Sequence, residues 1–362
     1  MNASPLIALC TAQARFEAAR RLAHRPTNDR TYRRHGHSFI ASVQGNLLPD
    51  SVPFEGAQCH GLTAHLQRCV EPLDYCDLNV VMDHPDDLSL ARWVLGRLSM
   101  QNVHEVSLQS TADQGVQISD ATRTHIWRRY HFRAAHQLPN VAPGHKCGRM
   151  HGHGFQVVLH VESDGDLIYD DLDAAWAPFH DQLHHHCLND IEGLSNPTSE
   201  MLSAWLWHRL KPTLTGLNGV TVYETGSCGA QFDGERYAIW KDFTIDSAIR
   251  MSKAPHEDPR HFLHGDTFLV RLHLVADLDR VQGWTVDFGD VKTAFNPVFK
   301  ALDHHPLYER AALSTGDPES IARWTFSQAR EALPELRQVD VIDSQGSGSM
   351  VYDDKPCKQL PI

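Results

Sequence analysis

No two cysteines in this chain form a CxxC pair, and none of the eight falls at the short spacings of a disulfide framework. No apolar run is long enough to span a bilayer. The opening stretch, MNASPLIALCTAQARFEAARR, is interrupted by Arg15 and Glu17 before it can form the apolar centre of a secretory signal. Basic clusters are missing too: 33 Lys and Arg stand against 45 Asp and Glu, a formal charge of −12. That balance argues against a nucleic-acid surface or an anionic membrane as partner. Together these absences predict a cytoplasmic protein with reduced thiols. A small anionic substrate remains compatible if a few basic side chains gather locally.

What the chain has in quantity is histidine, 25 in 362 residues. The length predicts two or three domains, and internal repetition favours three. FEAARRL at 16–22, FRAAHQL at 132–138 and IDSAIRM at 245–251 are each followed by an HG triplet, at His35, His151 and His264. Fifteen residues before those histidines stand Arg20, His136 and Ile249. PLDYCDLN, QLHHHCLND and ALDHHPLYE come next, then VSLQST, VTVYET and VDVIDS. Four marks recur in one order at a period of about 115 residues, which predicts three tandem units: 1–125, 126–245 and 246–362.

Within a unit, alternation puts Phe155, Val157, Leu159 and Val161 on one strand face, and Phe268, Val270, Leu272 and Leu274 on its counterpart. LDAAWAPFHDQL reads as a helix. SNPTSEMLSAWLWHRL reads as a second, with Asn196 as N-cap, Pro197 at the first helical position, and an apolar stripe of Met201, Leu202, Trp205, Leu206 and Leu210. The expected order is strand, strand, helix, helix, strand, strand, an α+β plan with helices on one sheet face.

Residues two apart on a strand face the same way, so His151 and His153 point together, and a hairpin return would set His136 opposite them. Three imidazoles suit tetrahedral Zn²⁺ with one place left for substrate, although HxH alone is more often an ordinary pair of histidines. The flanking units lack the set, holding Arg20, His35 and His37 in one and Ile249, His264 and Asp266 in the other. One zinc per chain is therefore expected. Cys147 stands four residues before His151, with Lys146 and Arg149 beside it. Cationic neighbours and a metal would favour the thiolate, against the plainer reading of an inert thiol. Arg20, in a lost ligand position, suggests an anion holder on its sign alone.

FRAAH, KCGRMHGHGF, CLNDIEGLSNPTSE and VTVYET resemble the 6-pyruvoyltetrahydropterin synthase and 6-carboxytetrahydropterin synthase family, closely over 131–230 and collinearly elsewhere. Cys, three residues, then HGH is similar to the carboxy branch, which works in queuosine and deazapurine biosynthesis. The resemblance implies a zinc lyase acting on 7,8-dihydroneopterin triphosphate, with a pyruvoyl-type synthase or a non-catalytic pterin binder as alternatives. It implies His136, His151 and His153 as zinc ligands, Cys147 as proton-transfer group and Glu224 as the carboxylate anchoring the pterin ring. Thr198 and Glu200 would touch substrate, though a plain helix start explains them equally well. An Asp-His pair should assist the thiol. The middle unit has His184-His185 there, whereas the third keeps Asp303-His304, so a pair borrowed from the third unit is expected. The fold implied is the tunnelling fold (T-fold), in which three four-stranded antiparallel sheets, each with two helices on one face, close into a barrel. One chain would form this pseudo-trimer alone, and two chains would pair as a homodimer.

Overall fold

The computed structural model describes residues 5–47, 52–98, 100, 102–119, 123–163 and 169–357. Twelve long strands follow one another as an antiparallel meander: β1 (Ile7–Arg20), β2 (His35–Gly45), β3 (Val103–Thr111), β4 (Gln114–Ser119), β5 (Arg123–His136), β6 (His151–Ser163), β7 (Leu217–Thr225), β8 (Cys228–Phe232), β9 (Tyr237–Ile249), β10 (His264–Ala276), β11 (Leu336–Asp343) and β12 (Gly348–Tyr352). β12 pairs back onto β1, with Ile7 opposite Tyr352 and Thr11 opposite Gly348. That pairing closes the sheet into a barrel and, among the described residues, leaves no long edge unpaired. Two two-residue strands, Cys76–Asp77 and His186–Cys187, add parallel pairings at the rim.

Helices α1 (Gln58–Val70) and α2 (Asp87–Leu98) lie between β2 and β3. The pairs α3 (Tyr169–Leu183) with α4 (Ser199–Leu210), and α5 (Phe288–Leu302) with α6 (Pro318–Ala329), hold the corresponding places after β6 and β10. Each set of four strands and two helices thus follows the expected order. The alternation is also as read: Phe155, Val157, Leu159 and Val161 join the buried apolar layer with Trp176, Leu202 and Leu206 of the helices. Truncating one of these, Leu159 for instance, would cost about 2–5 kcal/mol. Val158 faces the opposite side and packs with Trp127, Tyr223 and Trp240 inside the barrel. Among the described residues no helix is long and apolar enough to cross a membrane.

The helix α4 begins differently from the reading above. Its N-cap is Thr198, whose side chain accepts from the Met201 N–H, while the Asn196 side chain donates to the Gln282 carbonyl at 2.6 Å. Local spacing could not show that a distant segment competes for Asn196.

The barrel interior also holds ion pairs: Arg271 with Asp242 at 2.7 Å, and His273 with Asp340 at 2.7 Å. Burial alone would lower the His273 pKa, but the adjacent Asp340 carboxylate outweighs it and raises the group to about 10. A histidine raised in the folded state stabilises fully below its unfolded pKa of about 6.5, and that contribution is lost as pH rises through about 10. We expect chemical denaturation of wild type to show stability falling between pH 7 and 10, with a visibly flatter profile in His273→Gln.

Candidate metal centre and active site

β5 ends on His136, whose direct cross-strand partner is His151 at the start of β6. Their ring centroids lie 4.4 Å apart, and His153 is 5.2 Å from His136 and 5.1 Å from His151. Glu224 on β7 completes the group. One ligand atom from each of these four residues lies within 4.8 Å of all the others. His136 Nδ1 faces the Pro197 carbonyl at 3.0 Å, and His151 Nδ1 faces the Arg149 carbonyl at 2.7 Å. A carbonyl can only accept, so both Nδ1 atoms carry the proton, and in the neutral rings both Nε2 atoms present lone pairs. The Nε2 atoms of His136 and His153 are buried without a hydrogen-bond partner. At His136 an orphaned lone pair with a carbonyl fixing the ring tautomer behind it is what a resident divalent cation requires, and ligand atoms of His151 and His153 lie within 4.8 Å of it.

The charge states agree. Burial holds His136 below its ordinary pKa, more than its contact with Pro197 and the nearby Glu224 restore, so the ring is neutral at pH 7. Burial alone would raise Glu224; its contacts with His153 and Ser199, and the nearby His136, outweigh this and keep it ionised. Ser199 Oγ donates to Glu224 Oε2 at 2.8 Å, while Oε1 stands 3.3 Å from His153 Nε2. Ser199 escaped the sequence reading even though both its neighbours were singled out. Its position at the first residue of α4 was the available signal.

Cys147 sits half-buried in a short 3₁₀ turn, Lys146–Gly148, capped by His145, whose Nδ1 accepts from the Cys147 N–H at 3.2 Å. Apart from any metal, the protein's own groups act mostly against the thiolate. Burial pushes the thiol up, the Glu224 and Asp287 carboxylates add to this, and only Lys146 opposes them.

Thr198 and Glu200 are also placed differently from expectation. Both are buried against the loop between β10 and α5. The Thr198 hydroxyl donates to the Gly283 carbonyl, and Glu200 Oε1 accepts from the Thr285 N–H at 2.9 Å and hydroxyl at 3.3 Å. These atoms clamp a seam between strand sets, and sequence spacing carries no information about such a long-range use. Burial lifts Glu200 to about 7, despite the Thr285 contacts. A carboxyl raised in the folded state favours folding most below about 4.5, and loses that contribution as pH rises through about 7. Glu200→Gln is therefore expected to raise the melting temperature by several degrees at pH 8 and by little at pH 5, as read by thermal unfolding.

The Asp-His positions share one geometry. Tyr75, His185 and His304 have φ of 51°, 61° and 56°, the non-glycine residues with positive φ among those described. The residue before each accepts from a strand N–H: Asp74 from Glu17 at 2.8 Å, His184 from Arg133 at 3.2 Å, and Asp303 from Asp246 at 3.0 Å. His184 Nδ1 thus does the structural work of the aspartate. Within one chain, however, Asp303-His304 does not meet Cys147. The third strand set approaches the thiol turn through Asp287, 3.6 Å from His145, and Asp287 caps the opposite end of the 15-residue α5. At 1.5 Å per residue that helix separates the two ends by about 22 Å. Asp303 pairs with His304 at 3.0 Å, and the His304 ring is 76% exposed.

Comparison with known proteins follows the same lines. The model of the family described as 6-pyruvoyl tetrahydropterin synthase matches residues 125–235 and again 238–354. A 6-carboxy-5,6,7,8-tetrahydropterin synthase from Synechocystis is 35% identical over 123 residues, covering 31% of this chain and 94% of that protein. Among solved structures, 6-pyruvoyl tetrahydropterin synthase of Caenorhabditis elegans is 16% identical with a TM-score of 0.29, covering 33% of this chain and 95% of that one. Uricase from Arthrobacter globiformis is 13% identical with a TM-score of 0.33, covering 60% and 80%. Neither structural likeness is close enough to bear on function.

Proposed function

Because the chain belongs to the 6-pyruvoyl tetrahydropterin synthase family, we propose that it is a zinc-dependent lyase of 7,8-dihydroneopterin triphosphate, making 6-carboxytetrahydropterin for a deazapurine pathway. One observation carries the reading: the convergence of His136, His151 and His153, with the Nε2 atoms of His136 and His153 orphaned, beside the Cys147 turn. The curated carboxy-type relative, 35% identical, points to the same branch. Zinc held by those imidazoles would supply Lewis acidity toward the substrate's side-chain oxygens.

The chain's own groups do the rest. Glu224, kept ionised and oriented by Ser199, accepts hydrogen bonds from the amino-pyrimidine edge and fixes the ring. Cys147 Sγ moves protons at the side-chain carbons, as general base and then acid. The seam through Thr198, Glu200 and Thr285 holds the third strand set against this site and keeps Asp287 near the thiol turn.

The three strand sets are three T-fold units with boundaries near 125 and 245, and two such rings stack as a homodimer. Met150 and Leu263, each immediately before a rim histidine, are 53% and 59% exposed, and Phe262 and Tyr75 are exposed as well. An apolar rim of this kind suits burial against a second ring. The Asp303-His304 pair, too far from Cys147 in its own chain, then enters the site of the partner chain. His304→Ala is expected to lose activity while His185→Ala keeps it; the reverse result excludes the donated pair. Light scattering at micromolar concentration should give twice the mass of one chain.

The deciding experiment is incubation with 7,8-dihydroneopterin triphosphate. Acetaldehyde with a carboxypterin supports the proposal, and a pyruvoyl product moves the enzyme to the other branch. Binding without turnover makes it a pterin binder, the reading that His184 in place of aspartate favours.

A further inference from the structure

A cavity of about 730 Å³ opens over the first strand set, at the place equivalent to the metal cluster of the second. Its floor is the cross-strand pair Arg20–His35, which stands in the register of His136–His151. Arg20 is 3% exposed, and its Nη1 donates to Asp87 at 2.7 Å and to the Pro85 carbonyl at 3.0 Å. The expectation that Arg20 holds an anion is therefore corrected, because its charge is already neutralised. Asp87 also accepts from Ser110 at 2.7 Å and from Tyr169 at 2.8 Å. In the second set the same helix-to-strand contact runs from Ser199 to Glu224, so carboxylate and hydroxyl have exchanged places. The guanidinium on Asp87 fills the electrostatic role a cation would have, and it is permanent.

Two polar atoms on this floor are left over. Arg20 Nε and His35 Nε2 are both buried without a hydrogen-bond partner. His35 Nδ1 faces the Arg33 carbonyl at 2.7 Å, so in the neutral ring its Nε2 is an acceptor, whereas Arg20 Nε–H can only donate. The metal cluster offers lone pairs side by side; this floor offers a donor beside an acceptor. Such a pair cannot hold a cation and matches an uncharged edge that both accepts and donates. The remaining lining fits that reading. Its four arginines are balanced by four aspartates, Arg25 being paired with both Asp29 and Asp170, so the cavity has no surplus charge for a polyanion. Leu22, Leu88 and Ile126 supply apolar wall for flat faces.

We propose that this cavity is a second, metal-free site for an uncharged fused heterocycle that presents a lactam edge, N–H beside C=O, to His35 and Arg20. The site is independent of turnover at Cys147. It rests on the proposed function only in that the catalytic pocket could bind the same kind of ring.

The test is calorimetric titration of Glu224→Gln protein, in which the ring anchor of the catalytic pocket is removed. The probes are guanosine, 1-methylguanosine, ribose and GTP. Guanosine should bind once per chain. 1-Methylguanosine, whose lactam donor is blocked, should bind about tenfold more weakly or worse, since a buried acceptor is left unpaired. GTP should bind no more tightly than guanosine, and ribose should not compete. His35→Phe, added to Glu224→Gln, should abolish guanosine binding. The 1-methylguanosine comparison needs no added substitution, so a folding defect in His35→Phe cannot hide the answer. Absence of guanosine binding, equal binding of the methylated probe, or binding of ribose would overturn the proposal, as would a marked preference for GTP. Failure of the lyase assay would leave each of these results readable.

Discussion

The His136→Ala protein should be isolated without zinc and with kcat/KM reduced by roughly a thousandfold or more, while keeping its barrel. The expectation follows from position. His136 is 1% exposed and closes the cluster from β5, with its tautomer fixed by Pro197. Removing it leaves two imidazoles on β6, too few to hold a catalytic zinc beside a solvent-facing position. The fold should survive because the apolar layers of the three strand sets do not pass through the cluster. The loss of one buried hydrogen bond costs about 1–3 kcal/mol. Metal analysis and thermal unfolding read the two halves of the prediction separately. Wild type should carry one zinc per chain, since Arg20 and Ile249 stand where the other two sets would need a ligand. Two or three ions per chain would overturn the assignment.

Cys147→Ala is the second large effect, with the opposite signature. Zinc content and substrate affinity should stay near wild type, while kcat falls by roughly 10²–10⁴, the range for loss of a positioned proton-transfer group. Loss of affinity in place of rate would make Cys147 a binding residue. The pH profile adds a check. Burial, Glu224 and Asp287 all push the thiol up. Removing one negative neighbour in Asp287→Asn should therefore move the rising limb of kcat/KM toward lower pH. A profile unchanged in that variant would mean that another group titrates.

The candidate site was legible wherever its residues are close in sequence or in simple register. His151 and His153 two apart on a strand, the constant offset to His136, and the alternation through Val161 needed only periodicities of the chain. What escaped depends on which atoms compete across long separations. Asn196 looked like a helix cap until the Gln282 carbonyl, 86 residues away, claimed its amide. Thr198 and Glu200 looked free for a ligand, yet Gly283 and Thr285 use them. Arg20 read as an unbalanced cation because Asp87, 67 residues on, was invisible from its neighbourhood. The Asp303-His304 pair was identifiable by type, but its distance from Cys147 is set by the length and direction of α5, which composition does not encode.

The antiparallel join between β1 and β12 has a consequence for how such a ring can change. A barrel assembled from separate identical polypeptides falls apart on dilution and carries every substitution three times over. Here each junction is formed within one polypeptide, the β1–β12 closure joining its two ends, so its occupancy does not depend on concentration. A substitution falls on one sector only. One sector can therefore keep its chemistry while another exchanges an imidazole for a guanidinium, a freedom that a symmetric assembly of one repeated subunit lacks.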